Sequence, residues 1–193
     1  MTPRRNGPRD AIVSLDRDLG WLRKRYGKFP LVEAVLANGG FAPVRGGGRQ
    51  SEVAMAIRRP SGGFLLQTKA FYPPGTFRLP TGGIKDGEDV EHALLREVHE
   101  ESNLDVEIER VVAVIDHSVL KGKTPFRSYM FLLRETGGTL KVNDPDEQIS
   151  GWDERDVAGL ESAAQNLRGL DGTWRRWGQF RAVALEVLAS AVR

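Results

Sequence analysis

Acidic residues on one predicted helix constrain this chain more than any other feature. The segment Asp89–Ser102 carries apolar residues at the three- and four-residue spacing of an amphipathic helix. At 100° per residue, Glu97 and Glu101 fall within the apolar arc, and Glu100 borders it. Because buried, unpaired carboxylates are costly and three together repel one another, positive charge must lie among them.

Two sources of positive charge could balance these carboxylates. Arg96, four residues before Glu100, can neutralise one carboxylate. The others suit a divalent cation, because an all-oxygen cluster favours magnesium or manganese. The chain has no cysteine and only three histidines, so any metal must be held by oxygen or histidine nitrogen. The alternative is a solvated acidic helix face held by ion pairs one turn apart.

The longer pattern resembles the Nudix box: Gly, five residues, Glu, seven residues, then Arg-Glu, an apolar residue, any residue, Glu-Glu, any residue, Gly and an apolar residue. The chain matches it at Gly82, Glu88, Arg96, Glu97, Val98, Glu100, Glu101 and Leu104. The one departure is Asn103 in place of glycine, and asparagine also tolerates the left-handed conformation at a helix end. With the lead-in Phe77–Gly83, the resemblance covers roughly Ser51 to Leu160.

The resemblance implies a Nudix-like α/β/α sandwich with a mixed β-sheet. It also implies Mg²⁺ as the cofactor, with Mn²⁺ as an alternative. The implied metal ligands are Glu97, Glu100, Glu101 and the Gly82 carbonyl. Arg96 would orient the carboxylates, and Glu88 would be structural, near the start of the helix.

The activity implied by the resemblance is that of a pyrophosphohydrolase. Water would attack phosphorus in the diphosphate linkage of a nucleoside diphosphate derivative or a similar small molecule, and a general base is needed. Some family members keep that base on the loop before a late strand, and Glu147, just ahead of residues 148–152, fits this description. A surface carboxylate beside Asp144 and Asp146 is the alternative reading of Glu147, and Glu101 is the second candidate for the base.

Three residues near the box are candidates for binding substrate. Lys69, at the end of a predicted strand, and Arg78, just before the box, are the nearest cations for phosphate groups. Phe77 could stack on a base. The alternatives are surface charges for the two cations and core packing for Phe77. Trp174 and Trp177, three residues apart on the last predicted helix, are interpreted as packing residues.

The chain divides into two predicted parts, an N-terminal helical extension with a linker at residues 1–50 and a Nudix hydrolase domain at residues 51–193. Apolar spacing predicts one helix from Ala11 to Tyr26. A second, short helix is predicted to begin at Pro30 and to run through Leu36 before Gly39-Gly40. The glycine-rich stretch Val44–Gln50 reads as the linker.

Strands and helices alternate after Ser51, which favours the α/β class. A hairpin is predicted from residues 53–57 and 64–70, and a loop from 72 to 83. Further strands are expected at residues 106–115, 128–133 and 148–152, and the closing helices at 156–167 and 173–192.

Two rival functions come from other classes. A nucleotide-sensing or regulatory module could keep the Nudix fold without hydrolysis, although such a module has no need of all three box acids. Isopentenyl diphosphate isomerases share the fold but rely on a catalytic cysteine, and this chain has none.

Composition limits partners and location. A formal net charge of +2 provides no strong attraction to nucleic acid. Neither an apolar run long enough to span a bilayer nor a signal peptide is found, so a cytoplasmic location without membrane association is expected. The apolar stripe Ile12, Leu15, Leu19 and Leu22 must be buried, either against the domain or in a homodimer.

Overall fold

The computed structural model describes residues 18–36, 50–118 and 126–193, and this part of the chain is built around a seven-stranded sheet. The strands are β1 (Leu31–Val35), β2 (Ser51–Arg58), β3 (Phe64–Lys69), β4 (Thr81–Gly83), β5 (Leu104–Ser118), β6 (Phe126–Gly138) and β7 (Ile149–Arg155). The helices are α1 (residues 18–26), α2 (Val90–Ser102), α3 (Val157–Arg168) and α4 (Arg175–Ala191). Short 3₁₀ turns at Pro145–Glu147 and Gly172–Trp174 precede β7 and α4.

The sheet is mixed, as predicted. Its strand order is β1-β5-β6-β2-β3-β7, with β4 added to β2. β1 runs parallel to β5 and β2 parallel to β6, whereas the other pairs are antiparallel. Pairing with β4 sets Gly82 opposite Val53 and Gly83 opposite Glu52. The loop before α2 is thereby fixed to the first residues of β2.

Helices cover both faces of the sheet. On β2, Val53 and Met55 pack in the core beneath α1 and α2, while Ala54 and Ala56 pack in the core beneath α3 and α4. Because both faces are buried, β2 is apolar along most of its length instead of alternating with polar residues. This α/β/α arrangement confirms the fold class inferred from the sequence.

The described part of the N-terminal segment contains one helix and one strand. Residues 18–26 form the predicted helix, and Leu19 and Leu22 are buried against the domain. The short helix predicted from Pro30 to Leu36 is wrong, because Leu31–Val35 is strand β1, paired with β5. Pairing with β5 determines the conformation of this segment, and its β-branched valines suit a strand. The predicted helix start at residues 11–17, the Gly39-Gly40 stop and most of the linker lie outside the described residues.

The other predicted elements are present, with different ends. The β2–β3 hairpin, α2, α3 and α4 lie where the pattern placed them. β5 and β6 are longer than predicted, with register irregularities between them. The segment 72–83, predicted as loop, ends in the short strand β4. Across the described ranges, no helix combines the length and apolar character that a bilayer crossing requires.

Candidate active site

Capping interactions determine where α2 begins and ends. The Asp89 side chain accepts a hydrogen bond from the His92 N–H at 2.8 Å. Asn103 adopts the left-handed conformation, with φ 55°, and its N–H donates to the His99 carbonyl. The replacement of glycine by asparagine therefore preserves the helix end, as expected from the sequence.

Gly82 and Glu97 are in direct contact. A Cβ at Gly82 would overlap the Glu97 carboxyl group. Glycine at this position in β4 lets the Glu97 side chain approach the strand backbone. Burial raises the pKa of Glu97, and the neighbouring Arg96 opposes that rise.

Arg96 joins the loop before α2 to three carboxylates. Its Nε donates to Glu88 at 2.7 Å, and its Nη1 donates to Glu97 at 2.8 Å and to Glu100 at 2.9 Å. Its Nη2 donates to the Gly83 carbonyl at 2.9 Å. One guanidinium thus holds three box glutamates in place and ties them to β4.

Glu88 has a different environment from the other box acids. It accepts hydrogen bonds from Arg96 and from the Lys85 N–H. The hydrogen bond from Arg96 lowers the pKa of Glu88 to about 2 against the effect of burial. Its charge is therefore balanced by the protein itself, which suits a structural role at the start of α2.

Glu101 is completely buried and incompletely paired. Its Oε2 accepts from the Gln67 amide at 3.2 Å, and Lys69 Nζ lies 4.0 Å from its Oε1. Among the described residues, Oε1 has no hydrogen-bond partner. Burial raises the pKa of Glu101 to about 8, although Arg78 and Lys69 act to lower it.

Glu147 joins this site from the turn before β7. Lys69 Nζ donates to its Oε2 at 2.6 Å. Burial opposes ionisation, yet the hydrogen bond and the charge of Lys69 prevail, and the pKa of Glu147 is lowered. Glu147 is half-buried beside Lys69 and lies close to Glu97 and Glu101, which favours a place in the site over the surface-carboxylate alternative.

Three carboxylates converge into a group that could hold a metal ion. One oxygen from each of Glu97, Glu101 and Glu147 lies within 4.8 Å of the others. Glu100, an implied ligand, is outside this group and is held by Arg96 at the cavity wall. The donors are all oxygens, and Glu101 has a buried oxygen with no hydrogen-bond partner among the described residues, so the group fits a hard divalent cation.

The three candidate substrate-binding residues have separate environments. Lys69 and Arg78 line the cavity beside the carboxylates, and neither is a surface charge. Arg78 is 3% exposed and donates to Tyr72, to the Leu79 carbonyl and to Thr81. Phe77 does not line this cavity and instead packs against the core beneath α3 and α4. Phe77 is therefore not placed to stack on a base in this cavity, contrary to the prediction from the sequence.

The cavity extends from the carboxylates to α4. It has a volume of about 470 Å³ and is also lined by Glu52, Trp177 and Arg181. Trp177 does pack, with its ring 4.6 Å from that of Tyr72, but it borders the cavity as well. The interpretation of Trp177 as a packing residue was therefore incomplete.

Sequence reasoning missed the Glu52–Arg181 pair. Arg181 Nη1 donates to both Glu52 oxygens at 2.9 Å, and the Ser128 hydroxyl donates to Glu52 at 2.8 Å. His117, adjacent to Ser128, is buried, and burial lowers its pKa to about 4. The one signal for this pair in the sequence is Glu52, a glutamate near the start of a mostly apolar strand.

The chain is similar to known proteins over its central part. The protein-family model described as NUDIX domain matches residues 48–176. An ADP-ribose pyrophosphatase of Methanocaldococcus jannaschii is 32% identical over 79 residues, which are 41% of this chain and 47% of that protein. The Homo sapiens 8-oxo-dGDP phosphatase NUDT18 is 36% identical over 81 residues, 40% of this chain and 24% of that protein.

Structural similarity agrees with the family match. The solved NUDIX hydrolase from Nitrosomonas europaea superposes with a TM-score of 0.50 at 16% identity, covering 70% of this chain and 90% of that one. At this identity the likeness concerns the fold. This chain spans less than half the length of the two curated relatives named above. Because the family model covers more than half of the chain, this protein belongs to the NUDIX family.

Proposed function

We propose that this protein is a divalent-metal-dependent hydrolase that cleaves the diphosphate linkage of a nucleoside diphosphate derivative. The observation that carries the proposal is the convergence of Glu97, Glu101 and Glu147 beside an open cavity. The family match and the similarity to an ADP-ribose pyrophosphatase and to an 8-oxo-dGDP phosphatase support the reaction class.

Glu97, Glu101 and Glu147 are the proposed metal ligands, with Glu100 and the Gly82 carbonyl retained as candidates from the box. Bound Mg²⁺ or Mn²⁺ would neutralise phosphate charge and lower the pKa of a coordinated water. The buried Oε1 of Glu101 has no partner among the described residues, which is the feature a cation would relieve.

The other side chains orient and balance this group. Arg96 holds Glu97 and Glu100 through hydrogen bonds from its Nη1. Lys69 holds Glu147 and favours its ionised form, which Glu147 needs either as a metal ligand or as the general base that accepts a proton from water. Glu101 remains the second candidate for the base. Lys69 and Arg78 are the proposed cations for substrate phosphates.

A substrate screen with a metal control tests the proposal. The purified protein, dialysed against EDTA, is supplied with Mg²⁺ or Mn²⁺ and incubated with ADP-ribose, nucleoside diphosphate sugars and nucleoside triphosphates. We expect phosphate-containing products from at least one substrate, with ¹⁸O from labelled water in the phosphate, and no turnover without metal.

Two outcomes contradict the proposal. Full activity after exhaustive chelation would exclude the metal-dependent reaction. Binding of nucleotides without turnover of any substrate would favour the alternative, a nucleotide-sensing module that has kept the fold.

A further inference from the structure

We propose that Trp177, Arg181 and Glu52 form the part of the cavity that binds the base of the nucleotide. This inference rests on the proposed function and names the residues that determine which substrate is accepted. All three residues line the cavity that also contains Glu97 and Glu147. Trp177 and Arg181 are one turn apart on α4, so they lie on one face of that helix.

The two ends of the cavity lie on opposite faces of the sheet. Glu97 belongs to α2, which covers the face of Val53 and Met55. Glu52 shares its face of β2 with Ala54 and is bonded to Arg181 of α4. The cavity therefore passes around the end of the sheet. When the diphosphate of a substrate is held at the carboxylates, the α4 end is available to the rest of that substrate.

The α4 end carries an aromatic surface. The Trp177 ring lies 4.6 Å from Tyr72 and 5.2 Å from Trp174, so neighbouring rings support it. Phe71 and Tyr72 also reach the cavity wall. Rings held in place in this way suit stacking on a planar base, because every base presents a flat aromatic face.

The α4 end is also close to neutral, unlike the carboxylate end. Both oxygens of Glu52 are bonded to Arg181 Nη1, so the two charges balance. Within the described residues, Arg181 Nε has no hydrogen-bond partner. A guanidinium whose charge is already paired with a carboxylate attracts a phosphate less than an unpaired guanidinium does. A donor beside a carboxylate acceptor instead matches the edge of a base, which offers both acceptors and donors.

Trp177 and Arg181 lie beyond the family match. The NUDIX family model ends at residue 176, whereas both side chains reach the cavity from α4. These two residues of the α4 end therefore lie outside the matched segment, whereas Glu52 and all the residues of the carboxylate end lie within it.

Binding of hydrolysis-resistant ligands tests the inference separately from catalysis. The probes are the α,β-methylene analogues of ADP, GDP, CDP and UDP, and methylenediphosphonate serves as the probe without a base. Dissociation constants are measured by calorimetry with Mg²⁺ for the full chain, for Trp177→Leu, and for the double variant Glu52→Gln/Arg181→Met. The double variant removes both charges together and so avoids leaving one of them buried alone.

Matched controls remove the same residue types elsewhere. Trp21→Leu removes a half-exposed tryptophan on α1. Arg168→Met/Glu186→Gln removes an exposed pair in which Arg168 Nε and Nη2 donate to the two Glu186 oxygens at 2.8 and 2.7 Å. Circular dichroism and thermal melting establish folding for every variant.

We expect the full chain to bind at least one nucleoside analogue more tightly than methylenediphosphonate. Trp177→Leu and the double variant are expected to weaken that analogue at least about tenfold and to change methylenediphosphonate binding less than about twofold. Equal weakening of both probes, no weakening of either, or no preference for the nucleoside analogue in the full chain would each overturn the inference. Failure of the metal-dependent turnover assay would instead overturn the proposed function, and the binding measurements would still decide the base site.

Discussion

The cavity borders two carboxylate systems that differ in charge balance. At the α4 end, Glu52 has both oxygens bonded to Arg181 and accepts a third hydrogen bond from Ser128. At the other end, Glu101 shares Lys69 with Glu147 and keeps one buried oxygen without a partner among the described residues. The protein completes the first system with its own side chains and leaves the second short of positive charge. That shortage is the physical reason to expect an external cation at the second system only.

The largest expected effect comes from neutralising the incomplete system. Glu101→Gln is nearly isosteric, and we expect kcat to fall at least about 100-fold because charge is removed from the metal site. Steady-state kinetics with the best substrate from the screen and Mg²⁺ measures it. Glu107→Gln, at an exposed position of β5, serves as the control. Near-normal turnover in a folded Glu101→Gln protein would restore the acidic-face interpretation of α2.

Truncation should leave both carboxylate systems intact. A chain beginning at Arg49 lacks Leu19, Leu22 and Phe29, which are buried in the core beneath α1 and α2. It also lacks β1, so one edge of β5 is exposed. At about 25 cal/mol per Å² of apolar surface, we expect a loss of a few kcal/mol in the free energy of unfolding, and aggregation. Turnover per folded molecule is expected to persist.

Urea unfolding and the turnover assay together measure the effect of this truncation. A truncated protein that is folded by circular dichroism and gel filtration but inactive would contradict the prediction. In that case the first 48 residues would contribute to the substrate site.

Neutralising Glu52 in the complete system should change the free energy of unfolding in the opposite direction from neutralising Glu101 in the incomplete system. Glu52→Gln leaves Arg181 without its charged partner in a mostly buried site. We expect the free energy of unfolding to fall by about 1 to 3 kcal/mol. Glu101→Gln, measured without metal at pH 8, is expected to raise it. Destabilisation by both substitutions would show that the two systems are balanced alike.

Measured per pH unit, the smallest effect is a pH dependence of stability in the metal-free protein. The pKa of Glu101 is raised by burial from an ordinary value of 4.5 to about 8. Between these values the folded protein keeps a proton that the unfolded chain has released, so stability falls as pH rises from about 4.5 to about 8. The slope reaches at most about 1.4 kcal/mol per pH unit.

Urea unfolding in EDTA at several pH values measures this slope, and Glu101→Gln is the reference in which it is absent. All other titrating groups are shared by the two proteins, so the difference between their curves isolates Glu101. Parallel curves across this range would contradict the assigned pKa shift.

Local sequence patterns were sufficient to predict α2 but were not sufficient to predict β1. The limits of α2 follow from Asp89 and Asn103, which cap it through bonds to neighbouring residues. Leu31–Val35 has no such local determinant, and its pairing with β5, more than 80 residues later, decides its conformation. A helix was predicted there because apolar spacing in a short segment fits either structure.

The sequence alone determined the family, the helix that carries the acids, and the burial of Glu97 and Glu101, because these follow from a contiguous motif and helical periodicity. Only the tertiary structure decided that Lys69 meets Glu147 across 78 residues and that Arg181 meets Glu52 across 129. Charge balance at a buried site depends on which side chains the fold brings within hydrogen-bond distance. No local pattern records those distances, so the contrast between the complete and the incomplete system became visible only in the folded chain.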